Sequence, residues 1–131
     1  MMTELDIITL KINPVAKPRM TRQDKWMKRP CVVRYRAYCD ELCKQARKQN
    51  LTSLPDSLRV GFAIPMPVSW SKKKRLTMEG MPHQQKPDID NLVKGVMDAM
   101  SKDDANVYEL EAEKWWDVEG AVVVQIEKPI P

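Results

Sequence analysis

Apolar and polar residues alternate through Leu5–Ile12, with Ile8, Leu10 and Ile12 on one side. That period of two predicts a first strand. A second period follows: Tyr35, Tyr38, Cys39, Leu42, Cys43 and Ala46 recur at helical spacing, with Arg34, Arg36, Asp40, Glu41, Lys44, Arg47 and Lys48 between them. This is one buried face of an α-helix. Cys39 and Cys43 at i, i+4 could share a metal; such cysteines more commonly serve as small core residues. Leu58, Val60, Phe62 and Ile64 alternate again and predict a half-buried strand that Pro65 and Pro67 terminate. Ser71 is placed to cap a short basic helix through Met78, stopped by Gly80. A second long helix is expected from near Asp90 to about Ser101, with Leu92, Val93, Val96, Met97 and Met100 as its stripe. Two strands close the chain, near 106–116 and 121–127, joined at Gly120 beside Asp117 and Glu119. The order β-α-β-(α)-α-β-β predicts an α+β domain: a small mixed β-sheet with two main helices packed on it. At 131 residues it is one domain, 1–131.

Composition then removes whole classes of chemistry. No apolar run approaches the roughly 18–20 residues of a membrane helix. The first six residues are acidic and lack the cationic start of a secretory signal. Three cysteines, an odd number, argue for a reducing compartment rather than a disulfide framework. There is no GxxxxGK, GxGxxG, HExxH or Cys2His2 pattern, and no GxSxG surrounds any serine.

Charge adds an asymmetry that the net +4 conceals: residues 1–50 sum to +7, 51–100 to +2 and 101–131 to −5. A basic half joined to an acidic half fits a polyanion held near carboxylates, although chance clustering on an ordinary surface would look alike. The span Asn13–Pro30 holds three prolines, Trp26, and Lys17, Arg19, Arg22, Lys25, Lys28 and Arg29 against Asp24 alone. An irregular stretch of this length in a small domain is usually functional or disordered. Lys72, Lys73, Lys74 and Arg75 form a second cationic run, either a solvated face or a phosphate clamp.

The most informative stretch is Lys86-Pro87-Asp88-Ile89-Asp90-Asn91-Leu92-Val93-Lys94. Pro87 disfavours a helical Lys86, so the chain should arrive extended, with Asp88 and Asp90 pointing the same way. Lys94 lies one helical turn beyond Asp90, and Asp98 one turn further. Asp103 and Asp104 follow the helix directly. A helix of about 12 residues spans about 18 Å, so this doublet meets the first pair only if the next strand runs back past the helix start or a second subunit supplies one set. Two carboxylates about 4 Å apart repel by roughly 4 kcal/mol at an effective dielectric of 20. A hard divalent cation compensates that repulsion and suits phosphodiester hydrolysis, Mg²⁺ and Mn²⁺ both accepting oxygen ligands. The structural alternative is that Asp90 or Asn91 caps the helix and Lys94 forms a surface ion pair worth about 0.3–0.5 kcal/mol.

In these residues the chain resembles the RusA family of Holliday junction resolvases, particularly its phage-encoded branch. The resemblance rests on the 86–92 core, Lys94, Asp98-Ala99-Met100 and Asp103-Asp104-Ala105-Asn106-Val107. It extends to Lys17-Pro18-Arg19-Met20-Thr21-Arg22, Arg34-Tyr35-Arg36 and Ser69–Arg75. It implies a homodimeric, Mg²⁺-dependent endodeoxyribonuclease that nicks opposing strands of a four-way DNA junction. By motif, Asp88, Asp90 and Asp104 match the family's catalytic carboxylates and Lys94 its catalytic lysine, with Asp103 the adjacent acid. The connection Ser101-Lys102 is shorter than in many members, and Asn106 stands where glutamine is usual. Lys17, Arg19, Arg22, Lys72, Lys73, Lys74 and Lys86 are then the expected phosphate contacts. The bacterial cytoplasm is the expected compartment, with a phage or prophage origin and no membrane partner. Two-fold symmetry in the protein would match two symmetric cuts, with Val122, Val124 and methionine-rich helix surfaces available as interface. A non-catalytic DNA-binding module of the same fold is the alternative reading. Glu109, Glu111 and Glu113 share one strand face, expected to be mostly solvated, with an acidic wall beside the metal site as the alternative, and Trp115 and Trp116 should point to opposite faces.

Overall fold

In the computed structural model, the described residues are 3–25, 28–101 and 104–129, and the side chains of residues 3, 25, 104, 128 and 129 are not among them. Four strands form one mixed sheet in the order β1-β4-β2-β3, with β1 at Thr3–Leu10, β2 at Ser57–Pro65, β3 at Glu109–Asp117 and β4 at Ala121–Pro129. β4 is antiparallel to both of its neighbours, and β3 is parallel to β2. Among the described residues, three α-helices accompany the sheet: α1 at Pro30–Lys48, α2 at Lys72–Met78 and α3 at Ile89–Met100.

The alternation assigns the sheet's two faces as expected. Ile8, Leu10, Leu58, Val60, Phe62, Val122 and Val124 point to the helices and are buried. The α1 stripe of Tyr35, Tyr38, Leu42 and Ala46 packs on them with Leu92, Val93, Val96 and Met100 of α3. Cys39 and Cys43 sit at the edge of this core, and the Cys43 thiol donates to the Ala99 carbonyl at 3.2 Å. Val122 and Val124 are fully buried under the helices, so the expectation that they form interface surface is overturned. Their parity places them with Ile8 and Val60 rather than on the open face.

The open face carries Glu109, Glu111, Glu113 and Trp115, while Trp116 is buried on the helix side. Arg59 reaches Glu111 at 3.5 Å. The Trp115 ring crosses Gly61, where a Cβ would come within 2.6 Å of it. The acidic row therefore faces away from α3 and is no wall beside the helix start.

Boundaries shift where local chemistry was not periodic. β1 ends at Leu10 rather than Ile12. The basic stretch contains a 3-10 turn at Arg22–Lys25, and Pro30 opens α1. Pro is suited to a helix's first turn because its missing N–H has no helical partner there. β3 starts at Glu109, after a 3-10 turn at Asp104–Asn106, not near Asn106. Ser71 caps α2 as expected, accepting from the Lys74 N–H at 3.1 Å.

Candidate active site

β1, β2 and β3 all run in one direction because β4 is antiparallel to both β1 and β2. Their C-terminal ends lie together. Leu10 leads into the basic loop, Pro65 into the α2 segment, and Asp117 into the last hairpin. The start of α3 is at the same end, since the Lys114 ammonium near the end of β3 donates to the carbonyls of Gln85 and Pro87 at 2.6 and 2.7 Å. Cationic segments distant in sequence thus leave the sheet at the same end as the acidic helix start.

The local geometry of the two acids differs from the extended-segment expectation. Asp88 is extended, with φ −70° and ψ 144°, but the helix begins at Ile89, so Asp90 already lies in its first turn. The Lys86–Pro87 peptide is cis. Asp88 occupies the N-cap position yet makes no capping hydrogen bond with its side chain. One oxygen of Asp90 accepts from the Asn91 N–H at 2.8 Å. Both acids and Lys94 are exposed. Among the described residues, the Asp88 carboxylate and the Lys94 ammonium have no ion-pair partner. Neither the capping role nor the i,i+4 ion pair is realised.

Asp104 opens the 3-10 turn after α3, with its side chain outside the described set, and Asp103 lies outside the described residues altogether. β3 does run back along α3: Leu110 and Ala112 share a cavity of about 530 Å³ with Ile89, Asp90, Val93, Lys94 and Met97. The residue it carries to the helix start is Lys114. No group of three Asp, Glu, His or Cys side chains converges as a cation site among the described residues.

A second cleft of about 390 Å³ adjoins the first at Lys94 and is lined by Lys17, Pro18, Arg19, Met20 and Asn91. The loop is fastened there by backbone. The Lys17 N–H donates to the Asn91 carbonyl at 3.1 Å, and Gly95 lets the loop approach, since a Cβ on it would sit 3.0 Å from the Val15 carbonyl oxygen. Tyr35 donates to the Gly95 carbonyl at 2.8 Å. The Lys17 ammonium pairs with Asp98, both half-buried, so Lys17 anchors the loop to α3 in the free protein.

Asp24 organises the rest of this loop. Buried, it accepts from Arg29 at 2.8 Å and from the Thr21 N–H at 2.7 Å. The Arg29 guanidinium and that N–H hold its carboxyl well below the usual carboxylate range. Arg19 and Arg22 remain exposed. Lys72, Lys73 and Lys86 are exposed too, and Lys74 lies 4.3 Å over the Trp70 ring, whose centroid is 4.7 Å from that of Trp116 in a tilted pair.

Sequence reasoning missed the contacts of Asn91 and Gly95 with the basic loop and of Lys114 with the segment before Asp88. A helix-interior glycine was the one legible signal, since it often marks close backbone approach. Lys114 had none, because a lone lysine in a strand reads as a solvated residue.

The family model for endodeoxyribonuclease RusA matches residues 10–127. This chain belongs to the RusA family. Membership carries an endodeoxyribonuclease activity directed at Holliday junctions. The chain is also 37% identical over 109 residues to the uncharacterized protein YqaN of Bacillus subtilis (strain 168), covering 76% of this chain and 77% of that one. The RusA match takes in every element from the end of β1 to Glu127 in β4, including the basic loop, α2, the acidic helix start and β3. No helix among the described residues is long and apolar enough to cross a membrane.

His83 gives a stability prediction beside this site. It is buried, its ring lies 4.3 Å from that of Trp116, and its Nδ1 has no partner among the described residues. Burial, and then the charge of Lys114, push its pKa down. The unfolded chain therefore takes up this proton first as pH falls. The contribution of His83 is fully present above the unfolded value of about 6.5 and is lost as pH falls through and below it. Thermal melts at pH 7.5 and 5.5 should show a smaller loss for His83→Gln than for wild type. Equal losses would reject this assignment.

Proposed function

We propose that this chain is a divalent-cation-dependent nuclease that resolves four-way DNA junctions by paired symmetric nicks, acting as a homodimer in the bacterial cytoplasm. The observation that carries the reading is a helix start where Asp88 occupies the cap position without capping and Lys94 stands exposed, with no ion-pair partner among the described residues. Polar groups released from structural duty, beside two cationic segments, are what a phosphodiester site needs.

Asp88, Asp90 and Asp104, with Asp103 adjacent, are the residues that would hold Mg²⁺ or Mn²⁺; acidic oxygen donors suit a hard cation. When bound, that cation supplies charge neutralisation at the phosphate and a more acidic water. Arg19, Arg22, Lys72, Lys73, Lys74 and Lys86 hold flanking phosphates, and Lys17 keeps its loop against α3. Lys94, one turn from Asp90 on the cleft rim, sets its ammonium toward charge developing on the leaving oxygen. A two-fold dimer presents two such sites to a junction of matching symmetry.

A synthetic four-way junction tests this. Cutting is expected with Mg²⁺ and none with EDTA, while binding persists in EDTA. If about six phosphates are contacted, log affinity against log salt should slope at about −5. Binding without cutting at every Mg²⁺ concentration would make the chain a non-catalytic module. A flat salt response would remove DNA as the partner.

A further inference from the structure

The segment that delivers Asp88 is held to β3 in two different ways. Its first half pairs by backbone: Gly80 N–H to Trp116 carbonyl at 2.7 Å, Trp116 N–H to Met81 carbonyl at 2.9 Å, and His83 N–H to Lys114 carbonyl at 3.1 Å. Beyond His83 this pairing stops, and the Lys114 ammonium takes over, donating to Gln85 and Pro87. Lys114 is half-buried on the helix side of β3, at the same parity as Ala112 and buried Trp116. Among the described residues no carboxylate pairs with it.

Partly burying an ammonium against neutral carbonyls is a costly way merely to tie down a loop. The arrangement makes sense if the carbonyl immediately before Asp88 must be held in place and a positive charge kept near a carboxylate cluster. We propose that Lys114 is a positioning residue for the acidic site: by gripping the Gln85 and Pro87 carbonyls it sets the Asp88 carboxylate for the divalent cation. This rests on the nuclease reading and adds to it a residue outside the carboxylate set. Hydrogen-bond partners of a metal's own ligands typically change affinity 10–100-fold when lost; Lys114 acts one residue further back, through the Pro87 carbonyl, so the lower end of that range is expected.

Lys114→Met keeps the aliphatic stem and removes both hydrogen bonds. Mn²⁺ binding to the free protein, measured by electron paramagnetic resonance, is expected to weaken about tenfold. The Mg²⁺ concentration for half-maximal junction cutting should rise in step, with junction affinity in EDTA within about twofold of wild type. If the Met variant does not melt cooperatively, Lys114→Gln, which can still donate to one carbonyl, carries the same test. Unchanged Mn²⁺ affinity in the folded variant overturns the inference. So does a loss of junction affinity with a salt slope shallower by about one, which would make Lys114 a phosphate contact. A wild-type chain that neither binds Mn²⁺ nor cuts rejects the nuclease reading itself. A wild type that cuts, beside a variant with unaltered Mn²⁺ affinity, rejects the role of Lys114 alone.

Discussion

Asp90→Asn is expected to lower junction cutting by roughly 10³-fold or more, the scale of losing several kcal/mol of transition-state charge stabilisation. The substitution is nearly isosteric. The amide oxygen can still accept from the Asn91 N–H, as Asp90 does at 2.8 Å, so the helix start should persist. What disappears is the negative charge. Junction binding should survive, because the exposed cations at this end of the sheet are untouched and one repulsion with phosphate is removed. Cleavage in Mg²⁺ and a binding titration in EDTA separate the two effects. A fully active Asp90→Asn would remove the proposed mechanism. Asp88→Ala supplies the control against a purely structural role. Losing a working N-cap costs about 1 kcal/mol, but Asp88 makes no capping bond. The variant should therefore melt within about 0.5 kcal/mol of wild type while cutting is lost.

Gly95→Val is expected to damage folding and DNA binding together. Its Cβ would meet the Val15 carbonyl oxygen at 3.0 Å and the Lys17 nitrogen at 3.3 Å, and the added methyls would press further into that backbone. Replacing glycine inside a helix recovers roughly 0.5 kcal/mol of propensity. Overpacking costs about 1–3 kcal/mol, so the clash should win. The basic loop would be displaced from Asn91 and Lys94, and junction affinity should fall by about tenfold, an estimate that treats Arg19 as one displaced charged contact. Calorimetric melting and a binding titration at fixed salt check both. A variant of unchanged stability and affinity would mean that the loop does not depend on its contact with α3.

Periodic burial made much of this molecule legible before any coordinates. Ile8 and Leu10, the α1 stripe and the Leu58–Ile64 alternation fell where expected, because one buried face imposes period two or 3.6 on the chain. The Ser71 cap was equally local: one hydroxyl and one N–H three residues on. Aperiodic features were not legible. The Arg22–Lys25 turn depends on Asp24 joining Thr21 to Arg29, and Asp90 lies in the first turn of α3 rather than in the extended approach to it.

The amino-acid sequence by itself determined the kinds of element, the acidic motif at the head of α3 and the supply of cations, since residue type and spacing along one segment express these. Only the tertiary structure decided that Asp88 does not cap, that Lys17 is engaged by Asp98, that Val122 and Val124 are core, and that Lys114 grips the approach to Asp88. The last three depend on which side chains meet across tens of residues. Such meetings are set by strand order and by the common direction of β1, β2 and β3, and short-range patterning carries no record of either.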